Sequence, residues 1–208
     1  MTTEAFTTTG SRRDRGGRPT DEELTTRILE IGADLLHEQG FAALSVGQVA
    51  RDAGCGKAAI YRRYPGKAAL VAAIIESRAR LGEAPDTGSV REDLLAHVLQ
   101  NQSNQEGLGF ATGRGMQAMF EPEVYPILWD SIFRLRRERG VAIIARGVAR
   151  GELPDDVDAD VILDALAGLT LYRQAVKGIR VDRQHFLNVI DALLVHPPRL
   201  LTGDIEGD

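Results

Sequence analysis

The chain lacks the features that anchor, secrete or cross-link a protein. It contains one cysteine, Cys55, which cannot form an intramolecular disulfide and is typical of a reducing compartment. No apolar run approaches the roughly 18 residues that a membrane-spanning helix needs. Residues 1–10 are rich in Thr and lack the apolar core of a signal peptide. We therefore expect a cytoplasmic protein.

Patterns that indicate catalysis or metal binding are also missing. No nucleophile–base constellation or cofactor fingerprint is present, and the four histidines (His37, His97, His185 and His196) lack ligand spacing with Cys or carboxylates. The glycines at 107, 109, 113 and 115 follow no predicted strand and precede no Gly-Lys-Ser/Thr, which argues against a nucleotide site. They suit a pliable helix or a surface loop. We expect no enzymatic activity, no cofactor and no metal.

Charge is distributed unevenly along the 208 residues, whose net charge is −5. Residues 1–80 hold 12 Lys and Arg against 10 Asp and Glu, whereas residues 81–208 hold 13 against 20. Nucleic acid responds to the local potential of one face, and the acidic remainder would be repelled by a duplex. The basic cluster consists of Arg12, Arg13, Arg15 and Arg18. This polarity favours a two-part protein with one end on DNA.

Four helices are predicted after a disordered basic arm at residues 1–17. A capping box at Thr20–Glu23 opens the first helix, and Gly40 ends it. A second capping box at Ser45–Gln48 opens a short helix that ends near Gly54. The remaining two predicted helices run from Gly56 to Tyr64 and from Lys67 to Leu81.

The rest of the chain also reads as helical, so the predicted fold class is all-α. Pro85 and Gly88 mark the boundary between an N-terminal unit and a larger helical domain. Five helices are predicted in that domain. One includes residues 94–99, a glycine-rich one covers 107–119, a long one runs from near 122 to about 150, and the last two lie at approximately 158–177 and 183–195.

Three short helices within residues 20–64, with a glycine-containing turn between the second and third, predict a helix-turn-helix. The candidate recognition helix is Lys57–Tyr64, a size that fits the major groove. Ile60 should face inward and pack on Val49 and Ala50. The outward side chains would then be Lys57 and Arg62 toward phosphates or guanine edges, Ala58 and Ala59 near thymine methyl groups, and Tyr61 and Tyr64 toward the DNA backbone.

These residues resemble the DNA-binding domain of the TetR family of bacterial regulators. The resemblance rests on Phe41, Ser45, Val49, Ala50 and Gly54, followed by the run Lys57–Lys67 and by Leu70. It implies phosphate contacts from Ser45, Tyr61, Tyr64 and Lys67, and a minor-groove contact from the segment Arg15–Arg18, where the arm ends. Gly56 and Ala58 depart from the serine and glycine that the family often has, so base preferences do not follow from the sequence.

The resemblance also implies an all-α homodimer whose C-terminal domain binds a small molecule. Family members pair through their last two long helices, which correspond here to approximately 158–177 and 183–195. Small residues at Ala165, Gly168 and Ala175 permit close helix packing. The apolar stripe of the final helix suits a dimer interface or intramolecular packing equally well, and it comprises Phe186, Val189, Ile190, Leu193 and Leu194.

Candidate effector-pocket residues are the large aromatic and sulfur-containing side chains of the C-terminal domain, which suit either a pocket or an ordinary core. They are Phe110, Met116, Met119, Phe120, Trp129, Phe133 and Tyr172. The arginine run Arg134, Arg136, Arg137 and Arg139 is expected on a solvated surface. Cys55 is interpreted as a small turn residue, with oxidant sensing as the alternative.

The sequence therefore predicts a ligand-responsive transcriptional regulator, a repressor by family habit, that binds a palindromic operator as a homodimer. We expect a basic arm at 1–17, a helix-turn-helix domain at 18–82 and an effector-binding and dimerisation domain at 83–208. The alternative is a DNA-binding architectural or cell-division factor on the same scaffold that responds to no small molecule.

Overall fold

A computed structural model of the chain describes residues 20–79, 81–107 and 114–201. The predicted basic arm, including Arg18, lies outside these residues. All regular elements within them are helical, and the one pairing of β type is an isolated bridge between Val157 and Arg199. The predicted all-α class is confirmed. No helix in the described part of the chain has the length and hydrophobicity to cross a bilayer.

The N-terminal helices begin with a capping box. The backbone N–H of Thr20 donates to the Glu23 carboxylate (2.8 Å), and the N–H of Glu23 donates to the Thr20 hydroxyl (3.2 Å). Gly40, with φ of 77°, kinks the first helix where the sequence predicted its end. The four helices are α1 (Asp21–Ala43), α2 (Val46–Asp52), α3 (Lys57–Tyr61) and α4 (Lys67–Arg78).

Two predictions about these helices are wrong. Ser45 precedes α2, but its side chain makes no capping hydrogen bond. The Ser45 carbonyl instead accepts from the N–H groups of Gln48 and Val49 (2.9 and 3.1 Å), so the turn closes through the main chain. Helix α3 also ends at Tyr61 rather than Tyr64. The N–H groups of Arg63 and Tyr64 both donate to the Ile60 carbonyl (2.9 Å each), so the chain closes with a turn.

Among the described residues, the C-terminal part contains six α-helices and two π-helical turns. They are α5 (Val90–Gly107), α6 (Arg114–Met119), α7 (Tyr125–Leu128), a π-helical turn (Trp129–Phe133), α8 (Arg134–Ala149), α9 (Ala159–Leu171), a second π-helical turn (Tyr172–Val176) and α10 (Arg183–Val195). The long helix predicted from 122 to about 150 is present as a contiguous helical run from Tyr125 to Ala149, with a π-helical turn inside it.

A local hydroxyl accompanies the first π-helical turn. The Ser131 hydroxyl donates to the Ile127 carbonyl (3.0 Å), and the N–H of Arg134 donates to the carbonyl of Trp129, five residues earlier. A side chain that competes for a helical carbonyl disturbs the regular ladder. A similar hydrogen bond precedes the second π-helical turn, where the Thr170 hydroxyl donates to the Leu166 carbonyl (3.0 Å).

Two hydrophobic clusters form the core. The first contains buried residues of helices α1, α2, α3 and α4 together with six residues of the segment 116–132, namely Met116, Ala118, Met119, Val124, Leu128 and Ile132. The second joins α5, α8, α9 and α10 around Leu94, Ile143, Ile162 and Phe186. Apolar packing thus continues across the predicted domain boundary near residue 83, which stays a prediction.

Candidate nucleic-acid interface and candidate ligand cavity

Helix α3 is fixed on its inner face by a single large side chain. Ile60 is fully buried and belongs to the same cluster as Val49 and Ala50 of α2, as the sequence predicted. Gly54, with φ of 67°, turns the chain between α2 and α3, and the N–H of Cys55 donates to the Ala50 carbonyl (2.9 Å). The inner face therefore determines which side chains of α3 face solvent.

The opposite face of α3 is open to solvent. Lys57, Ala58, Tyr61 and Arg62 are exposed, with 51% of Tyr61 accessible, and Ala59 is partly exposed. Ser45 is also exposed just before α2. Short side chains at 58 and 59 between two cations and an aromatic ring allow close approach to base edges.

Lys57 reaches its position by passing over a glycine. A Cβ placed on the buried Gly47 of α2 would lie 2.6 Å from the Lys57 Cε and 3.1 Å from its Nζ. The absence of a side chain at 47 therefore leaves the space in which the Lys57 stem lies. Sequence reasoning treated Gly47 only as part of a capping box.

Tyr64 and Lys67 are more enclosed than the other predicted phosphate contacts. Burial raises the pKa of Tyr64, and its protonated hydroxyl can donate to an acceptor. The Lys67 ammonium donates to the Ala42 carbonyl (3.0 Å) and lies 4.3 Å from the centroid of the Phe41 ring. These contacts hold Lys67 at the start of α4, beside the end of α1.

Arg63 fastens the end of α3 to the start of α1, a role that sequence reasoning missed. Its guanidinium donates to the Ala59 carbonyl (2.7 Å) and the Thr25 hydroxyl (3.1 Å) and pairs with Asp21, and its side chain is only 15% exposed. The available signal was helical spacing, because a residue three positions after the buried Ile60 lies on the same helix face.

A cavity of about 390 Å³ lies among α5, α6, α8 and α9. Five of the seven predicted pocket residues line it: Met116, Met119, Phe120, Trp129 and Phe133. Phe110 falls outside the described residues. Tyr172 does not line the cavity, because its ring points outward, 54% exposed, with the Lys177 ammonium 5.5 Å from its centroid.

The cavity also contains polar residues from α5 and α8. His97 is 5% exposed, and burial, followed by repulsion from Arg136 and Arg139, lowers its pKa to about 4. Burial, followed by repulsion from Arg139, lowers the pKa of Arg136 to about 10. At neutral pH the imidazole is therefore neutral and the Arg136 guanidinium is charged.

The predicted solvated surface for the arginine run is thus wrong for Arg136. It is correct for Arg134, which is exposed and pairs with Glu138 (2.7 Å). Arg137 pairs with two aspartates of α9 at the cavity rim, and Arg139 donates to the Leu81 and Gly82 carbonyls (2.8 and 2.9 Å). The spacing of the four arginines along the helix does not distinguish these environments, because only the packing of α8 decides which arginine faces the cavity.

The two predicted pairing helices divide their apolar residues between the core and the surface. Phe186 and Ile190 of α10 are fully buried within the chain itself, so this part of the predicted stripe packs intramolecularly. In contrast, one face of α9 and the turn after it stays exposed. The residues on that face are Val161, Ala165, Gly168, Tyr172 and Val176.

Two further features of the described residues bear on chemistry. Cys55 is half-buried in the turn between α2 and α3. Across the described ranges, no three His, Cys, Asp or Glu side chains come together as a group that could hold a metal ion.

Comparison with known proteins agrees with this arrangement in both parts of the chain. Residues 28–74 match the family described as bacterial regulatory proteins, tetR family, and residues 84–193 match the tetracyclin repressor-like C-terminal domain. An HTH-type transcriptional regulator of Bacillus subtilis (strain 168), YdeS, is 30% identical over 86% of this chain and 91% of its own length.

Two more similarities extend the comparison. The DNA-binding transcriptional repressor TetR of Mycobacteroides abscessus is 28% identical over 84% of this chain and 94% of its own. The crystal structure of MexZ, a repressor from Pseudomonas aeruginosa, shares the fold with a TM-score of 0.64 and 18% identity, covering 86% of this chain and 99% of MexZ. Proteins of this type are DNA-binding regulators, typically ligand-responsive repressors, and are not enzymes. The chain belongs to the TetR family of bacterial transcriptional regulators.

Proposed function

We propose that this chain represses transcription in the cytoplasm by binding a palindromic operator as a homodimer, and that a small molecule in the cavity releases it. The proposal rests mainly on the solvent-facing surface of α3. The opposite face of this helix is held in the core by the fully buried Ile60. An exposed helix of this kind presents its side chains to the major groove without rearrangement of the fold.

The proposed contacts follow from the exposure of each side chain. Lys57 and Arg62 contact phosphates or guanine edges, while Ala58 and Ala59 lie against thymine methyl groups. The proposed phosphate contacts are Ser45, Tyr61, Tyr64 and Lys67, and Arg18 reaches the minor groove from the arm. The Tyr64 hydroxyl would donate to a phosphate oxygen, which has no hydrogen of its own to donate.

The proposed dimer forms through α9 and α10, between approximately residues 158 and 195. Val161, Ala165, Gly168 and Tyr172 recur at helical spacing on the exposed face of α9. Small residues in the middle of this face let two helices approach closely, and the larger ends supply apolar area. Such a pairing would hold two copies of α3 about one DNA turn apart.

The cavity supplies a physical connection to the DNA-binding helices. Met116 and Met119 of α6 line the cavity and also pack in the first hydrophobic cluster, which contains α1 and α4. A ligand that displaces α6 therefore acts on the elements that carry α3. It shifts the population between dimer forms by no more than its difference in affinity for them. The cavity favours this function over a ligand-independent architectural or cell-division factor.

A gel-shift assay with the DNA upstream of the protein's own gene tests the proposal. We expect a retained palindromic site at physiological salt, and we expect Arg62→Ala to weaken binding. Arg134→Ala is the matched control, because it removes the same charge from an exposed site on α8. Failure to retain any palindromic site, or equal binding by Arg62→Ala and Arg134→Ala, would contradict the proposal.

A further inference from the structure

Arg136 is a half-buried cation of the cavity lining, and one of its donors is unsatisfied. Its Nη2 atom is inaccessible to solvent and has no hydrogen-bond partner. No carboxylate of the described residues pairs with this guanidinium. Asp164, which also lines the cavity, is paired with Arg137 instead (2.8 Å).

A partly buried guanidinium without a counter-charge is unfavourable for the empty protein. A charged group taken partly out of water loses part of its hydration, and a partner with matching acceptors compensates for that loss. Native structures keep such groups where they serve another purpose. Arg136 lines the cavity and no carboxylate balances it, which indicates that its counter-charge belongs to a ligand.

The remainder of the cavity defines the rest of that ligand. Aromatic and aliphatic side chains dominate the wall, among them Met116, Phe120, Trp129, Phe133 and Leu166. The volume of about 390 Å³ lies in the range of small-molecule sites. His97 adds no charge at neutral pH, so Arg136 is the one cation of the described lining that lacks a counter-charge.

We propose that the cavity binds an ionised carboxylic acid with an apolar body, whose carboxylate pairs with Arg136. The planar fork of a guanidinium matches a carboxylate with two parallel hydrogen bonds. A cationic ligand would be repelled, and a dianion would leave one charge uncompensated. Binding itself is independent of the function proposed above, and only the release of DNA that follows from it rests on that function.

Aliphatic and aromatic acids share this chemistry, and the test distinguishes them. The probes are octanoate and 4-phenylbutanoate, each compared with its own uncharged amide. Trp129 is the chain's one tryptophan and lines the cavity, so its fluorescence reports occupancy. Titration of the full-length protein should show that at least one acid binds about tenfold to a hundredfold more tightly than its amide.

The variants Arg136→Met and Arg136→Gln should abolish the preference for the acid, and Arg134→Met should keep it. In the absence of ligand, Arg136→Met should melt at the same or a higher temperature than the wild type, because it removes a partly buried charge that has no counter-charge. A purely structural role for Arg136 predicts a lower melting temperature in both variants.

The proposal is overturned if neither acid binds, if acid and amide bind the wild type equally, or if both Arg136 variants keep the preference. It is equally overturned if both variants melt well below the wild type. Operator binding is measured separately on the same samples. Loss of operator binding in ligand-free wild type would instead contradict the function proposed above.

Discussion

His97 makes the stability of this protein depend on pH in a calculable way. Its pKa lies at about 4 in the folded protein, against an ordinary value of 6.5, because burial beside Arg136 and Arg139 disfavours the imidazolium ion. Above the ordinary value both folded and unfolded chains carry a neutral imidazole, and His97 makes no difference. Below it, the unfolded chain binds a proton that the folded chain refuses, so stability falls as pH falls.

The expected magnitude follows from the size of the shift. Each unit of pKa difference corresponds to about 1.4 kcal/mol, so His97 should cost about 2 kcal/mol of stability on going from pH 6.5 to about pH 5. The full effect, about 3 kcal/mol, is reached near the folded-state pKa. Most carboxylates titrate below about pH 5, which leaves His97 as the main contributor in this window.

The perturbation is His97→Gln, which keeps a polar side chain but cannot take up a proton. Urea unfolding should be followed for both proteins at about pH 7.5 and about pH 5, at one protein concentration because dimer stability depends on it. The wild type should lose about 2 kcal/mol more than the variant between the two conditions. Equal losses in the two proteins would refute the burial of a neutral imidazole.

Four other substitutions test the DNA-binding half. Ile60→Ala should destabilise the protein by about 2–5 kcal/mol in urea unfolding, because it empties a fully buried site, and a loss below about 1 kcal/mol would contradict the packing of α3. Arg63→Met should lower the free energy of unfolding by about 1–3 kcal/mol, because it removes the hydrogen bonds of Arg63. Arg62→Met should change the free energy of unfolding by no more than about 0.5 kcal/mol and should weaken operator binding. The reverse pattern would disprove the assigned orientations. Gly47→Ala should displace the Lys57 side chain and lower operator affinity in a gel shift with little change in melting temperature, and unchanged affinity would show that this path of Lys57 is unimportant.

The DNA-binding half was largely predictable because its signals are local. The capping box at Thr20, the turn at Gly54 and the inward position of Ile60 all appear as predicted. Each depends on residues within a few positions of one another, or on helical periodicity. The second capping box failed for an equally local reason, since the Ser45 carbonyl already satisfies the N–H that the hydroxyl was expected to bind.

The cavity half was only partly predictable because its signals are not local. Large aromatic and sulfur-containing side chains identified five lining residues, but nothing in the spacing of the arginines distinguished the half-buried Arg136 from the exposed Arg134. Tyr172 likewise faces outward because it continues the exposed face of α9 that contains Val161, Ala165 and Gly168, and the sequence does not show which face of that helix packs inward.

By itself, the sequence determined the all-α class, the helix-turn-helix and the side chains of α3 that face solvent, since helix periodicity and capping depend on neighbouring residues. Only the tertiary structure decided which cation of α8 faces the cavity, which face of α9 stays exposed, and how α6 joins the cavity to α1. The physical reason is that burial of a particular side chain depends on what packs opposite it. That partner comes from a distant part of the chain, and the side chain's own neighbours in sequence do not specify it.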